Sequence, residues 1–406
     1  MKQSNVYYII RATMGLSFSM MFTAAGLYRI DNAGLEIYQL ILIGTALEIA
    51  IFVFEVPTGI IADLKSRKLS IVLGMLIIAL GIFIEPLTTL FAVIFISQLV
   101  WGFGYTFISG ALDSWISDEI KPIQLEHTII TGSQIYRMMS VLGIILAAVI
   151  GVVDIRYALY FSSIIFFFLG LFSILYVRET KFEVKQIDTT FYKRYFNQLK
   201  KGFGHIKHHK ILRFMFVIML FYGLYSEGID RTYELHILDH LNFRQLWQIA
   251  PIWILSIVNA GVAILGYIML YFVKKYLKKG HYIYVWTLSL TTMMVVGIIM
   301  FAYMPLAYGA LFGFIFFSVT REGTYPLLNS ILLKHTPSHV KATVMSSFGQ
   351  LDAIGQLLSG GLMVMISLWF DIKGLYVITA LVLIVPIIVF INIIKIEKPM
   401  KEGRLQ

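Results

Sequence analysis

The sequence predicts an all-α integral membrane protein with 12 transmembrane helices in two six-helix bundles. Three observations predict it. Of 406 residues, 58% are hydrophobic and only 14% are charged, where a soluble domain has about 25% charged residues. Apolar runs of bilayer-spanning length, roughly 20 residues each, recur along the chain. A polar, basic stretch divides these runs six and six.

The first six runs are 6–28, 36–62, 69–88, 90–116, 128–152 and 157–177. The second six are 211–236, 249–273, 281–303, 305–332, 341–368 and 374–394. The domain organisation expected from them is an N-terminal bundle (1–178), a cytoplasmic basic linker (179–210), a C-terminal bundle (211–395) and a short tail (396–406). The first run follows a single Lys2 and is long enough to span, so it reads as a retained helix and not as a cleaved signal. In the linker, His205, His208 and His209 lie among Lys201, Lys207 and Lys210. That positive charge disfavours zinc and suits a solvated or headgroup-facing amphipathic segment.

The net charge of +10 is a matter of topology here, with no nucleic acid partner. With the N-terminus inside, Arg29, Arg156, Arg244 and Lys373 fall outside the cell. Arg11, Arg137, Arg231 and Arg321 fall within spans, and the rest of the 33 Lys and Arg are cytoplasmic. That bias sets the orientation: a multi-pass protein of the cell inner (plasma) membrane with both termini cytoplasmic. No Cys occurs, which removes disulfides, thiol nucleophiles and Cys-based metal sites.

The stretch that closes span 2 carries more than an anchor needs. It reads Glu55-Val56-Pro57-Thr58-Gly59-Ile60-Ile61-Ala62-Asp63-Leu64-Lys65-Ser66-Arg67-Lys68. Gly59 and its small neighbours would let another helix approach closely. Asp63 and Arg67 are i, i+4 and can pair. Gly59-x-x-x-Asp63-x-x-Ser66-Arg67-Lys68 resembles the loop motif between helices 2 and 3 of the major facilitator superfamily, with Ser66 where a Gly is usual. The leading Glu55-x-Pro57 resembles a subset of tetracycline exporters among the 12-helix drug:proton antiporters. The resemblance implies the major facilitator fold and a cytoplasmic gate of Pro57, Gly59, Asp63, Arg67, Lys68 and Asp118. In it Asp118, at the end of span 4, meets the motif Arg. The alternative is that Arg67 and Lys68 only set topology.

Two departures bear on mechanism. Gln98 of Gln98-Leu99-Val100-Trp101-Gly102-Phe103-Gly104 stands where the family has an Arg linked to proton coupling. Span 5 has Gly143 and Gly151 but lacks the Gly-Pro signature common in drug antiporters. Asp113 and Arg137, at similar depth, are either a substitute pair or a structural one.

Ionisable groups inside spans are costly and need a reason. Glu48 and Glu55 are seven apart and project from nearly one face of span 2. They are read as proton-coupling or cation-binding groups, or else as packing hydrogen-bonders. On span 7, Glu227, Asp230, Arg231 and Glu234 share one face. Arg231 can pair with Glu227 and Glu234, which leaves Asp230 less compensated and places it with the coupling candidates. Arg321 and Glu322 on span 10, near a Pro326 that allows a kink, and Asp352 on span 11 complete the cavity candidates with Asp113, Arg137, Glu227 and Arg231. His236 and His240 have ligand spacing but no third ligand, so no metal site is expected.

The expected function is secondary active efflux of an amphiphilic drug in exchange for protons, by alternating access. Tetracycline is implied by the resemblance alone, as free drug or magnesium chelate. The partners are then a small-molecule substrate, protons and the lipid bilayer, and the chain acts as a monomer with no cofactor beyond the proton gradient. The alternatives are transport of another amphiphile (a macrolide, lipid or metabolite) and a polytopic membrane enzyme. Against an enzyme, no His-Glu-x-x-His, Gly-x-Ser-x-Gly or phosphate-binding Gly-rich Lys motif is present.

Overall fold

The structure, a computed structural model, describes residues 1–180, 209–277, 283–336 and 341–402. The side chains of Asp63, Leu64, Pro122, residues 341–343, Ser346 and residues 397–402 are not among the described ones. Helices account for nearly all of it, in chain order α1 (Gln3–Leu27), α2 (Ile37–Leu64), α3 (Arg67–Ile84), α4 (Phe91–Ser109), α5 (Ala111–Glu119), α6 (Pro122–Gly151) and α7 (Ile155–Tyr176). There follow α8 (Lys210–Asp230), α9 (Pro251–Leu277), α10 (Ile283–Tyr303), α11 (Ala307–Lys334), α12 (Lys341–Ser367), α13 (Ile372–Val382) and α14 (Ile384–Glu402).

Among the described residues, nine helical segments are long and apolar enough to cross a bilayer. In this reckoning α4 with α5, and α13 with α14, each make one span, Phe91–Glu119 and Ile372–Ile396. The helices α1, α11 and α12 are equally long but more polar, and with the nine they complete the 12. Their polarity has a visible source: they carry Arg11, the Arg321-Glu322 pair and Asp352.

Most boundaries fall near those expected, and three differences have physical causes. Span 4 is interrupted at Gly110, where α4 gives way to α5. Span 5 begins earlier, at Pro122, because a proline suits the first helical position, where its missing N–H leaves no bond unmade. Span 7 ends as α8 at Asp230. A turn at Arg231 and Thr232 leads to a short helix, Tyr233–Leu235, and a π-turn, His236–His240. Glu234 therefore does not continue the α8 face, and the four-charge stripe expected there stops at Asp230.

The described residues cluster into two units. One holds those of Met1–Asp188 with Arg244–Ala260; the other holds those of Thr189–Phe243 with Gly261–Gln406. In the first, α1 packs on α6 and α7, and α3 packs on α4 and α7. Small residues allow it: a methyl on Gly15 would strike the Tyr136 carbonyl, and one on Gly143 the Leu16 carbonyl. Buried serines bridge α1 to α7, with Ser17 Oγ 2.8 Å from Ser162 Oγ, in the manner of small-residue interfaces in lipid. In the second unit α8 packs on α12, and α10 on α11.

Candidate functional site

The motif between α2 and α3 folds as a capped turn. Ser66 Oγ accepts the Leu69 N–H at 2.9 Å and so caps α3. Arg67 Nη1 donates to the Ser114 carbonyl at 2.5 Å and to the Asp118 carboxylate. The expected Arg67–Asp118 contact is thus present, whereas the Asp63 side chain lies outside the described residues. Glu179 joins the turn unannounced by the motif. It accepts Ser66 Oγ–H at 2.5 Å and the Lys68 N–H at 2.9 Å, an acid at a helix N-terminus where the dipole favours it. Pro57 sits inside a continuous α2. Beside it, Thr58 Oγ1 lies 2.8 Å from the Phe54 carbonyl and 3.0 Å from that of Thr106, tying α2 to α4. The close approach expected at Gly59 is not made there, since a methyl would meet no described atom within 4 Å. Gly74 and Gly104 provide it instead, each against the other's carbonyl.

Near the other end of α3, a buried network explains Gln98. Glu85, 1% exposed, accepts Arg29 Nε–H at 2.7 Å and Gln98 Nε2–H at 2.9 Å. Gln98 Oε1 in turn accepts Trp101 Nε1–H at 2.8 Å. A neutral amide both donates to an acid already paired with a cation and accepts from an indole, which a guanidinium cannot do. Asp113 is held by the Tyr7 hydroxyl at 2.8 Å and not by Arg137, which is exposed on α6; the expected substitute pair is not formed.

Between these two ends the first unit carries a half-open cavity of about 360 Å³ lined by Arg11, Met14, Phe18, Phe22, Leu47, Ile51, Trp101, Tyr105 and Tyr136. Phe18 and Phe22 lean on Trp101 with ring centroids 6.2 and 5.9 Å away. Glu48 is partly buried and Glu55 is exposed. Neither lines the cavity, though both act electrostatically on Tyr105, which does.

In the second unit the carboxylate expected to be least compensated is the most firmly held. Asp230, at the end of α8, takes a two-pronged bond from Arg321 on α11, at 2.5 and 2.8 Å. The Arg321 guanidinium also lies 5.6 Å from the Tyr225 ring centroid. Arg231 pairs with Glu227 along α8 at 3.1 Å. Glu322 points elsewhere, against Gly266 of α9, as adjacent residues on a helix must. Asp352 of α12 accepts from Gln356 Nε2 at 3.2 Å and stands beside the Tyr325 hydroxyl. Its backbone is placed by glycine: a methyl on Gly223 would strike the Asp352 carbonyl, and one on Gly355 the Leu220 carbonyl. The helix α11 runs through Pro326 without a break. His236 is buried with Nε2 3.1 Å from the Phe301 carbonyl.

The sequence reading missed Glu85, Glu179, Arg29 as a network member, and Arg11 as a cavity residue. For Arg11 the available signal was a lone cation in the first span. For Glu85 it was an acid inside an otherwise apolar run.

Helices of spanning length, buried ion pairs and an aromatic cavity define a multi-pass membrane transporter. The description "Major Facilitator Superfamily" matches residues 7–360, and the chain belongs to that family, whose members are transporters and not enzymes. It is 22% identical over 393 residues to the uncharacterised MFS-type transporter YxaM of Bacillus subtilis (strain 168), covering 97% of this chain and 96% of that one. Its fold is similar to the crystal structure of a mutant of the nucleoside transporter NupG, with TM-score 0.82, 14% identity, and 96% and 99% of the two chains covered. It is also similar to a POT family transporter in complex with a thioalcohol-conjugated peptide, with TM-score 0.75, 14% identity, and 98% and 97% covered.

Proposed function

We propose that this chain exports an amphiphilic organic molecule across the plasma membrane in exchange for protons, alternating between inward and outward access. The observation that carries the reading is the cavity in the first unit. Its size falls within the about 300–1,000 Å³ of small-molecule sites, and its walls have the mix of aromatic surface and few polar groups that such sites use. Glu48, Glu55 and Asp230 are the proposed coupling groups. Pro57, Gly59, Asp63, Arg67, Lys68 and Asp118 form the proposed cytoplasmic gate, for which the Arg67–Asp118 contact is support. One charge moved across 100 mV is worth about 2.3 kcal/mol, so a single carboxylate suffices to drive transport.

Tetracycline is the narrow form of the proposal and rests on Glu55-x-Pro57. A second reading, movement of a nucleoside-like or peptide-like metabolite, is favoured by the likeness to the nucleoside and POT transporters. Cells expressing the chain should resist at least one of a panel of tetracyclines, macrolides and dyes. Asp63→Asn and Glu55→Gln, each expressed normally, should abolish that resistance. An unchanged tetracycline response removes the narrow form, and wild-type resistance in Glu55→Gln removes that residue as a required carrier.

A further inference from the structure

The cavity of the first unit holds a cation to which, among the described residues, nothing of opposite charge is bound. Arg11 projects from α1, partly buried. Its Nη2 reaches only Ser133 Oγ, at 3.4 Å, and its Nε is buried without an acceptor. The guanidinium otherwise faces rings, 5.9 Å from the Tyr7 centroid and 5.4 Å from that of Tyr136. Asp113 shares Tyr7 with this group as a neighbour, and it is engaged by the Tyr7 hydroxyl at 2.8 Å. No Asp or Glu is among the lining residues, and among the described residues no carboxylate makes an ion pair with Arg11. Glu48 and Glu55 act on Tyr105 but remain outside the lining.

A charge held in a largely apolar hollow is costly unless it is paired. Packing alone does not call for it, because an uncharged side chain would fill the same space without that cost. What a guanidinium adds is a planar fork of donors matched to carboxylate and phosphate oxygens, together with flat stacking on aromatic faces. The Arg11 donors left without acceptors, set among Phe18, Phe22, Trp101, Tyr105 and Tyr136, complement a ligand that is aromatic in body and anionic at one edge.

We infer that this cavity is a binding site for an aromatic organic anion, with Arg11 taking its carboxylate, phosphate or enolate. The inference rests on the reading of the chain as an exporter of an amphiphile and narrows the cargo. The same charge disfavours a cationic drug and a cationic magnesium chelate, and favours the metal-free anion.

The test uses the full chain, purified in an uncharged detergent without magnesium, and two probes of nearly the same shape, the anion 2-naphthoate and the neutral 2-naphthamide. Calorimetric titration should show the anion binding about tenfold or more tightly than the amide. Arg11→Gln should bring the two affinities to within about threefold, while Arg11→Lys keeps part of the preference. Ile51→Glu, which sets a carboxylate into the same lining, should also erase the preference and serves if Arg11→Gln does not fold. Equal affinities in the wild type, binding of neither probe, or a preference unchanged in the variants overturns the anion site. The resistance panel is read independently. Export of a neutral or cationic amphiphile without anion preference sinks this inference and leaves the export reading standing. Anion preference without export of any panel compound does the reverse.

Discussion

At the scale of single residues, the buried charges sort by what faces them. Glu85 is 1% exposed, and Arg29 is its only cation within ion-pair distance among the described residues. Removing one partner of such a pair leaves a bare charge in low dielectric, at about 3–5 kcal/mol. Arg29→Ala should therefore destabilise the purified protein by about that much in thermal or denaturant unfolding. Gln98→Leu, which strands one Glu85 oxygen and the Trp101 indole N–H, should cost about 1–3 kcal/mol. A Gln98→Leu protein as stable as wild type would contradict the network. The Asp230–Arg321 pair makes a different prediction. The pair is only part-buried, so Arg321→Leu alone should lower stability moderately, whereas Arg321→Leu with Asp230→Leu should recover part of the loss, since an apolar pair removes the partial desolvation cost of both charges. Transport should remain lost in the double variant if the pair moves protons or substrate. Restored transport would assign it to packing.

At the scale of elements, helix contacts depend on places where a side chain is missing. The α8–α12 contact is set where Gly223 meets the Asp352 carbonyl and Gly355 meets that of Leu220. Gly223→Ala should push α12 away and carry Asp352 with it, at about 1–3 kcal/mol of overpacking. The check is paired: lower thermal stability, and a loss of transport larger than the loss of folded protein. Gly59→Ala, where nothing described lies within 4 Å, should leave stability unchanged. Hydropathy made the span positions legible because each helix must bury its backbone bonds and present apolar surface to lipid. The early start of α6 at Pro122, the break at Gly110 and the end of α8 at Asp230 were not legible. Each is decided by local capping or by a turn that leaves the average hydropathy of the run almost unaltered.

At the scale of the whole molecule, orientation is the property most open to test. The proposed topology puts both termini, the 179–210 linker and the 396–406 tail in the cytoplasm, with 1–178 and 211–395 as the two halves. The natural absence of Cys provides a clean background. Single cysteines replacing Ser4 or Lys401 should resist a membrane-impermeant maleimide in intact cells and react after permeabilisation. One replacing Lys373 should react in both. The opposite pattern reverses the direction of every gate named above. By itself the sequence determined the membrane class, the run of spans, the motif turn and the transporter family. The membrane class and the spans follow from composition and periodicity, the motif turn and the family from the resemblance of one short local stretch, and all of these survive without knowledge of who packs against whom. The tertiary structure decided the partners: Asp230 with Arg321, Asp113 with Tyr7, Glu85 with Arg29 and Gln98, and Arg11 with aromatic rings and, among the described residues, no carboxylate. Most of these joins cross more than 50 residues along the chain, and the sign and strength of a buried charge's interactions depend on distance and local dielectric, quantities that exist only once the helices are packed.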